Sequence, residues 1–361
     1  PTALRPHCLL KAEQNLSHHQ YFEQKSNKLL IMSPSFDPQF WMAGRHATEL
    51  MEVTDDPSKL NDGNFWAITS DFNGKFTAAR FNKVEKNTSF DFAWGPVSGN
   101  WQSSFDQVAY CSYVKEIQLE IAEGNVYQVN ACRVLTAKYD QSIIGLASKL
   151  ISENPAKYGG YLGLPGIEIA SASPERFLTR VNGNLITSPI KGTRSLGETG
   201  EFSEKDKSEN IMIVDLMRND LSKICQEDSI AVPRLLATEI HPGLEHLVSD
   251  VIGQLKYGTD WVQILDALLP PGSVSGAPKS SALSIINKFE SNSRGPYCGI
   301  FGWVEGDRAE LAVAIRIFWR SDDEIHFGTG AGITWASDPM GEWRETELKA
   351  RKLISIAGGS L

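Results

Sequence analysis

Apolar positions take up a helical period from about Gln107: Val108, Cys111, Val114, Ile117 and Ile121 recur at helical spacing in VAYCSYVKEIQLEIAEGN, and the pattern stops at Gly124-Asn125. A helix followed by the strand VYQVNACRVLTA is the natural reading. Beyond it, GYLGLP, EIASAS, RFLTRV, NLITSP, CGIFGWV, ELAVAIRIFWR and EIHFGTGAGI read as strands, and helices are expected over 203–225, 261–269, 278–290 and 340–356. Adjacent strands with helices interspersed predict a large α+β domain, not a regular βαβ series. Upstream, the short strand-like runs Lys28–Met32, Phe65–Ile68 and Phe76–Phe81 sit between turn clusters such as Asp62-Gly63-Asn64 and Asn73-Gly74. The expected organisation is an irregular amino-terminal part over 1–105, packed on a catalytic domain over 106–361. No internal repeat or low-complexity linker separates them.

Composition narrows the classes. The 361 residues are 41% hydrophobic and 22% charged, an ordinary globular balance. A net charge of −9, with no run of five basic residues, argues against nucleic acid and anionic membranes, so a small anionic substrate needs a local basic pocket. Cys8, Cys111, Cys132, Cys225 and Cys298 are scattered, without CxxC pairs or zinc spacing, and reduced thiols are expected. The first residues lack a basic and apolar leader pattern and no window is apolar enough to span a bilayer; a soluble, cytoplasmic protein is expected.

Polar residues gather in five stretches near strand ends: YQVN (127–130), SPERF (173–177), SPIKGTR (188–194), SENIMIVDLMRNDL (208–221) and GAGITWASDPMGEWRETELKAR (330–351). PPGSVSGAPKS (270–280) lacks Walker spacing and GTGAGI lacks the dinucleotide pattern, which argues against a nucleotide cofactor. Glu342, Glu345 and Lys349 share one helix face, either as a solvated salt-bridged face or as part of a site. Glu209 opens a helix whose apolar face, Ile211, Met212, Val214 and Leu216, is expected to pack inward. A glutamate there is either a surface acid or, with a second carboxylate, an Mg²⁺ ligand. DLMRND reads equally well as a structural salt-bridge network. Lys191, in a strand-to-turn context, is either solvated or a desolvated amine nucleophile. Arg316, in a strand expected to be buried, requires an anion from substrate or from protein.

Taken together and in order over about 105–358, these segments resemble the chorismate-utilising enzymes: anthranilate synthase component I, aminodeoxychorismate synthase component I, isochorismate synthase and salicylate synthase. The resemblance implies a β-sandwich core with helices outside and a site in a cleft between. Water-adding members carry lysine where this chain has Gln128, so the resemblance implies an ammonia user. Lysine in Pro189-Ile190-Lys191-Gly192-Thr193, where anthranilate synthases have alanine, implies amination at C4, the aminodeoxychorismate branch.

By the same resemblance Lys191 is the nucleophile toward C2 of chorismate and Glu175 the general acid at the leaving C4 hydroxyl. Glu209 and Glu345, with Glu342 nearby, are implied Mg²⁺ ligands. Arg316, Tyr297, Lys349, Gly330 and Gly332 are implied to bind the substrate carboxylates, and Gly192, Thr193, His246 and Ser273 to complete the pocket with Gln128. Departures are Asn125 in place of an aspartate, Glu209-Asn210 in place of Glu-His, and SLGETG after PIKGTR. No Leu-Leu-Glu-Ser element occurs, which argues against tryptophan feedback. None of the cysteines lies in a Gly-x-Cys-x-Gly elbow, so ammonia is expected from a separate glutamine amidotransferase subunit. The alternatives are anthranilate synthase component I and a catalytically silent chorismate-binding subunit.

Overall fold

A computed structural model describes residues 37–197, 200–241 and 244–360. The expected strand at Lys28–Met32, and Cys8, lie outside the described residues. Eighteen of the described strands join into one continuous sheet, and every pairing within it is antiparallel. At one end Ile190–Ser195 and Ala231–His241 both pair with Leu244–Gln254; Asn184–Ser188, Arg176–Val181, Arg308–Val313, Ile300–Glu305, Phe65–Ser70 and Phe76–Glu85 follow. The second half runs through Arg45–Thr54, Gln39–Met42, Tyr158–Leu164, Ile167–Ser173, Ile317–Ser321 and Glu324–Ile333 to Gln128–Lys138, whose other edge takes Gln102–Ser103 and Gly276–Ala277. Pro38–Leu361 form a single unit in which this sheet doubles over.

Helices α1 (Gln107–Ala122), α2 (Ile144–Glu153), α3 (Glu204–Ser222), α4 (Trp261–Leu268), α5 (Lys279–Phe289) and α6 (Pro339–Ala357) flank the sheet. Their starts follow capping chemistry. Asp106, Ser203 and Asp338 accept from the Ala109, Asp206 and Gly341 amides at 2.8, 3.1 and 2.8 Å, which satisfies donors that the first turn leaves orphaned. One core cluster, with Val129, Phe177, Ile213 and Phe301, fills the inside of the fold. A second, with Leu135, Ala170, Phe318 and Leu353, lies beneath α2 and α6. Alternate residues of Ile167–Ser173 and Ile317–Ser321 enter opposite clusters, so these strands are buried on both faces, with Glu168, Ser171 and Ser173 as buried polar residues among the apolar ones. Among the described residues no helix is long and apolar enough to cross a membrane.

Two expectations need correction. ELAVAIRIFWR is not one strand: Arg308–Val313 and Ile317–Ser321 lie in opposite halves of the sheet, and the chain crosses between them at 314–316, with Arg316 at φ +52°. The Ala314 carbonyl accepts from the Cys298 amide and the Arg316 carbonyl from the Ala172 amide, so the crossing is pinned to both halves. Ile211 does not pack inward. It is 48% exposed, and the inward face of α3 is Ile213, Val214, Met217 and Leu221, with Met212 and Leu216 at its margin. Arg176–Val181, Asn184–Ser188, Glu324–Ile333 and the helices expected over 261–269, 278–290 and 340–356 form within a residue or two of their expected bounds.

Candidate active site

The strand Ile190–Ser195 loses its regular pairing with Leu244–Gln254 between Ile190 and Thr193, where Gly192 takes φ +80°. A Cβ on Gly192 would lie 3.0 Å from Asp206 Cβ, so both the backbone angle and the space call for glycine. This irregularity presents Lys191, whose Nζ donates to the Ser273 carbonyl at 3.1 Å. Thr193 stands opposite His246 in the register, with its hydroxyl 2.8 Å from Nδ1. Glu175 occupies the corner between Ile167–Ser173 and Arg176–Val181, held by its carbonyl to the Val313 amide at 3.0 Å. Its carboxyl is buried, and that burial raises its pKa; the Ser273 hydroxyl, Lys191, the Ile190 amide and Arg316 pull the other way without cancelling it.

Arg316, at the crossing between the halves, senses the Glu175 carboxylate, but no hydrogen bond or ion pair engages its guanidinium among the described residues. Desolvation disfavours its charge. A part-buried cation without a partner is an anion receptor.

The opposite wall comes from α3, α6 and the two longest-paired strands. Glu209 is largely buried, and burial raises its pKa, with Lys191 and Lys205 opposing and Asp206 and Glu342 adding to the rise. Its Oε1 is buried without a hydrogen-bond partner. Glu342 is 4% exposed, and Lys205 Nζ lies 3.2 Å from it and 3.8 Å from Glu209. Glu345 pairs with Lys349 at 2.7 Å. Burial works against its charge, but Lys349, then Lys205 and Lys191, outweigh that and hold its carboxyl below the usual range. Lys349 also donates to the Gly330 carbonyl at 2.9 Å. Gln128 is buried beside Gly332: a Cβ there would fall 2.3 Å from Gln128 Nε2 and 3.9 Å from Glu209 Oε2. Gln128 Oε1 is a second buried acceptor with no partner.

The fold therefore brings Glu175, Lys191, Ser273 and Arg316 to one wall, and Gln128, Gly332, Glu209, Glu342 and the Glu345–Lys349–Gly330 chain to the other. Lys191 acts electrostatically on both. Tyr297 is buried, with its ring packed over Gly328 and beside Cys132, the neighbour of Gly330; no hydrogen bond or ion pair joins it to the Lys191 group among the described residues. DLMRND is structural: Asp215 pairs with Arg218 at 3.0 Å, and buried Asp220 with Lys279 at 2.6 Å and Lys223 at 2.9 Å. Asn210, at the departure from Glu-His, is also structural; it accepts from Ser249 at 2.5 Å and donates to the Leu247 carbonyl at 3.2 Å. Lys205 was not singled out in the sequence, although its i,i+4 spacing to Glu209 was visible.

The carboxylate oxygens suit a hard divalent cation, and the orphaned buried Glu209 oxygen is a donor lacking its acid. Among the described residues no three His, Cys, Asp or Glu side chains are drawn together at metal-holding distance. Lys205 supplies the positive charge between Glu209 and Glu342.

A family model described as chorismate binding enzyme matches residues 45–355. This chain belongs to the chorismate-binding enzyme family. Anthranilate synthase component 1 of Aquifex aeolicus is 34% identical over 284 residues, 76% of this chain and 56% of that protein. Aminodeoxychorismate synthase component 1 of Salmonella typhimurium is 32% identical over 265 residues, 70% of this chain and 58% of that protein. The chain thus spans less than two thirds of the length of these relatives. The menaquinone-specific isochorismate synthase of Escherichia coli shares the fold, with a TM-score of 0.74 at 17% identity over 94% of this chain and 99% of that one. Relatives named anthranilate synthase component 1 and relatives named aminodeoxychorismate synthase component 1 thus match at similar identity.

Proposed function

We propose that this chain is an aminodeoxychorismate synthase component I, which replaces the C4 hydroxyl of chorismate with an amino group using ammonia from a glutamine amidotransferase partner in the cytoplasm. The observation that carries the reading is the lysine of the PIKGT segment, held at the Ser273 carbonyl beside a buried glutamate and a part-buried, unpartnered arginine.

In this reading the Lys191 amine attacks C2 of chorismate. Both conjugated ring double bonds shift toward C4 as the C4–oxygen bond breaks, and Glu175 gives its proton to the departing oxygen, which leaves as water. Burial suits Glu175 to this task, because it keeps the proton on the carboxyl at higher pH. Ammonia then attacks C4, both double bonds shift back, Lys191 is expelled as the amine, and the Glu175 carboxylate recovers its proton from the new C4 ammonium. Gln128, whose buried Oε1 lacks a hydrogen-bond partner, would accept from ammonia and orient it; the resemblance gives water-adding members a lysine there. Glu209 and Glu345, with Glu342 nearby, would hold Mg²⁺, whose charge would offset the substrate's ring carboxylate. Arg316 and Lys349 bind and orient the carboxylates.

Two variants probe the binding groups. Arg316→Gln, which leaves the substrate anion without its cation, is expected to raise the KM for chorismate by roughly 10- to 100-fold. An unchanged KM in steady-state assays would remove Arg316 from the site. Gly332→Ala forces Gln128 aside at its flexible end, so the melting temperature is expected to hold while kcat falls on the order of 10²-fold. Equal losses of stability and rate would instead mark Gly332 as a packing residue.

The deciding experiment is intact-protein mass spectrometry after incubation with chorismate and Mg²⁺ without ammonia, followed by ammonium and product identification. A Lys191-dependent adduct with 4-amino-4-deoxychorismate as product supports the reading. Anthranilate without an adduct replaces it with the second reading, anthranilate synthase component I, which the similar identity of those relatives keeps in view.

A further inference from the structure

Arg294 stands where three chain segments meet, and nothing in the chemistry above uses it. Its side chain is 1% exposed. Nε and Nη2 donate to the two oxygens of Glu290 at 2.7 Å each. Nη2 also donates to the Asn130 carbonyl at 2.7 Å and Nη1 to the Val274 carbonyl at 3.3 Å. The ring of Phe72 covers the guanidinium at 4.1 Å. Glu290 in turn accepts from the Cys132 amide at 3.0 Å and the Tyr113 hydroxyl at 3.2 Å.

The placement of the two carbonyls is what matters. Asn130 lies two residues beyond Gln128 on its strand, and Val274 follows Ser273 directly. Ser273 offers its carbonyl to Lys191, and its hydroxyl lies beside Glu175. A guanidinium is planar, with donors in a fixed fork, so two carbonyls bound to one buried fork are held at a set spacing. A lysine ammonium in the same place can keep Glu290, but it is too short and round to span both carbonyls.

We infer that Arg294 is a positioning residue of this site: the Asn130 amide donates to the Ser275 carbonyl at 2.9 Å and Gly276–Ala277 pair with the strand bearing Gln128, and the Arg294 fork adds the tie at Val274 that holds the Ser273 end of the loop, and with it Lys191 and Glu175, in place. The kinetic part of this inference depends on the proposed function; the structural part does not.

Arg294→Lys retains a cation for Glu290 and is the first variant. Glu290→Gln combined with Arg294→Met is the second; it removes both buried charges while leaving an acceptor for the Cys132 amide, and it guards against a fold lost to an unpaired ion. Hydrogen–deuterium exchange over 270–277, the melting temperature and the pH–rate profile are measured on each. In whichever variant melts near the parent, loop exchange is expected to rise about tenfold. With the Ser273 hydroxyl loosened, the alkaline limb of chorismate turnover is expected to move to higher pH, because a group that favours ionised Glu175 has been weakened. A purely structural role would leave that limb in place. Unchanged loop exchange overturns the inference, as does faster exchange with an unmoved limb. If the parent protein does not turn over chorismate, the proposed function fails, and loop exchange alone decides whether Arg294 fixes the loop.

Discussion

Lys191→Ala is expected to abolish the chorismate adduct and lower amination by roughly 10³-fold or more, the scale that loss of a covalent nucleophile carries. Lys191→Arg sharpens the test. It keeps a cation near Glu209 and Glu345, both of which feel Lys191, but it offers no amine of usable basicity. If Lys191 works mainly as a charge, the arginine variant regains much of the rate; if it works as a nucleophile, both variants are equally dead and neither shows the mass shift. A Lys191→Ala protein of near-parent activity would end the covalent mechanism.

Glu175→Gln should cost about 10²- to 10⁴-fold in turnover, the range for a positioned general acid. Its pH behaviour is a separate signature. A general acid must start protonated, and burial holds the Glu175 proton to higher pH than an exposed glutamate, so parent activity declines on the alkaline side as that raised pKa is passed. The glutamine variant should lose that limb along with the rate. The stability effect has the opposite sign. A folded-state pKa above the unfolded value means that the native state binds the extra proton; this contribution is full at pH below the unfolded value and is lost as pH rises through the folded one. Glu175→Gln should therefore melt higher than the parent at neutral and alkaline pH and lose the advantage in acid. A variant that is both slow and less stable at neutral pH would show that Glu175 holds the fold rather than serving the reaction.

What the sequence revealed follows from how far each signal reaches. α4, α5 and α6 were legible because their apolar spacing, caps and breakers are local. The doubly buried strands were legible from their short, β-branched and aromatic or small-residue runs between turn signals, IEIASAS and IFWRS. α2, with a 3.6-residue pattern as clear as its neighbours', went unread because it sits between strand signals. The pair Ala231–His241 and Leu244–Gln254 carries Pro233 and several charges, which mask a strand pattern; in the structure Arg234 pairs with Asp250 at 2.8 Å and with Glu239 at 2.9 Å along that edge. The break at Arg316 was hidden for another reason. Both flanks favour strand, and only the switch of partners from one half of the sheet to the other ends the first and starts the second. The site residues were visible as motifs. Their grouping was not, because Lys205 between two carboxylates and Arg294 across two carbonyls are matters of tertiary distance.

The doubled sheet has a consequence for how the protein comes into being. Glu324–Ile333 completes the edge begun by Gln128–Lys138, and Ile300–Glu305 closes onto Phe65–Ser70, so these strands pair with partners roughly two hundred residues or more earlier in the chain. Contacts so distant in sequence make folding slow, and they leave early strands with open edges until the late ones arrive. The wall that holds Gln128 and Gly332 is itself made by one of those closures. A molecule bound at that wall acts on the least local step of folding: at a hundred times its Kd it adds about 2.7 kcal/mol to native stability.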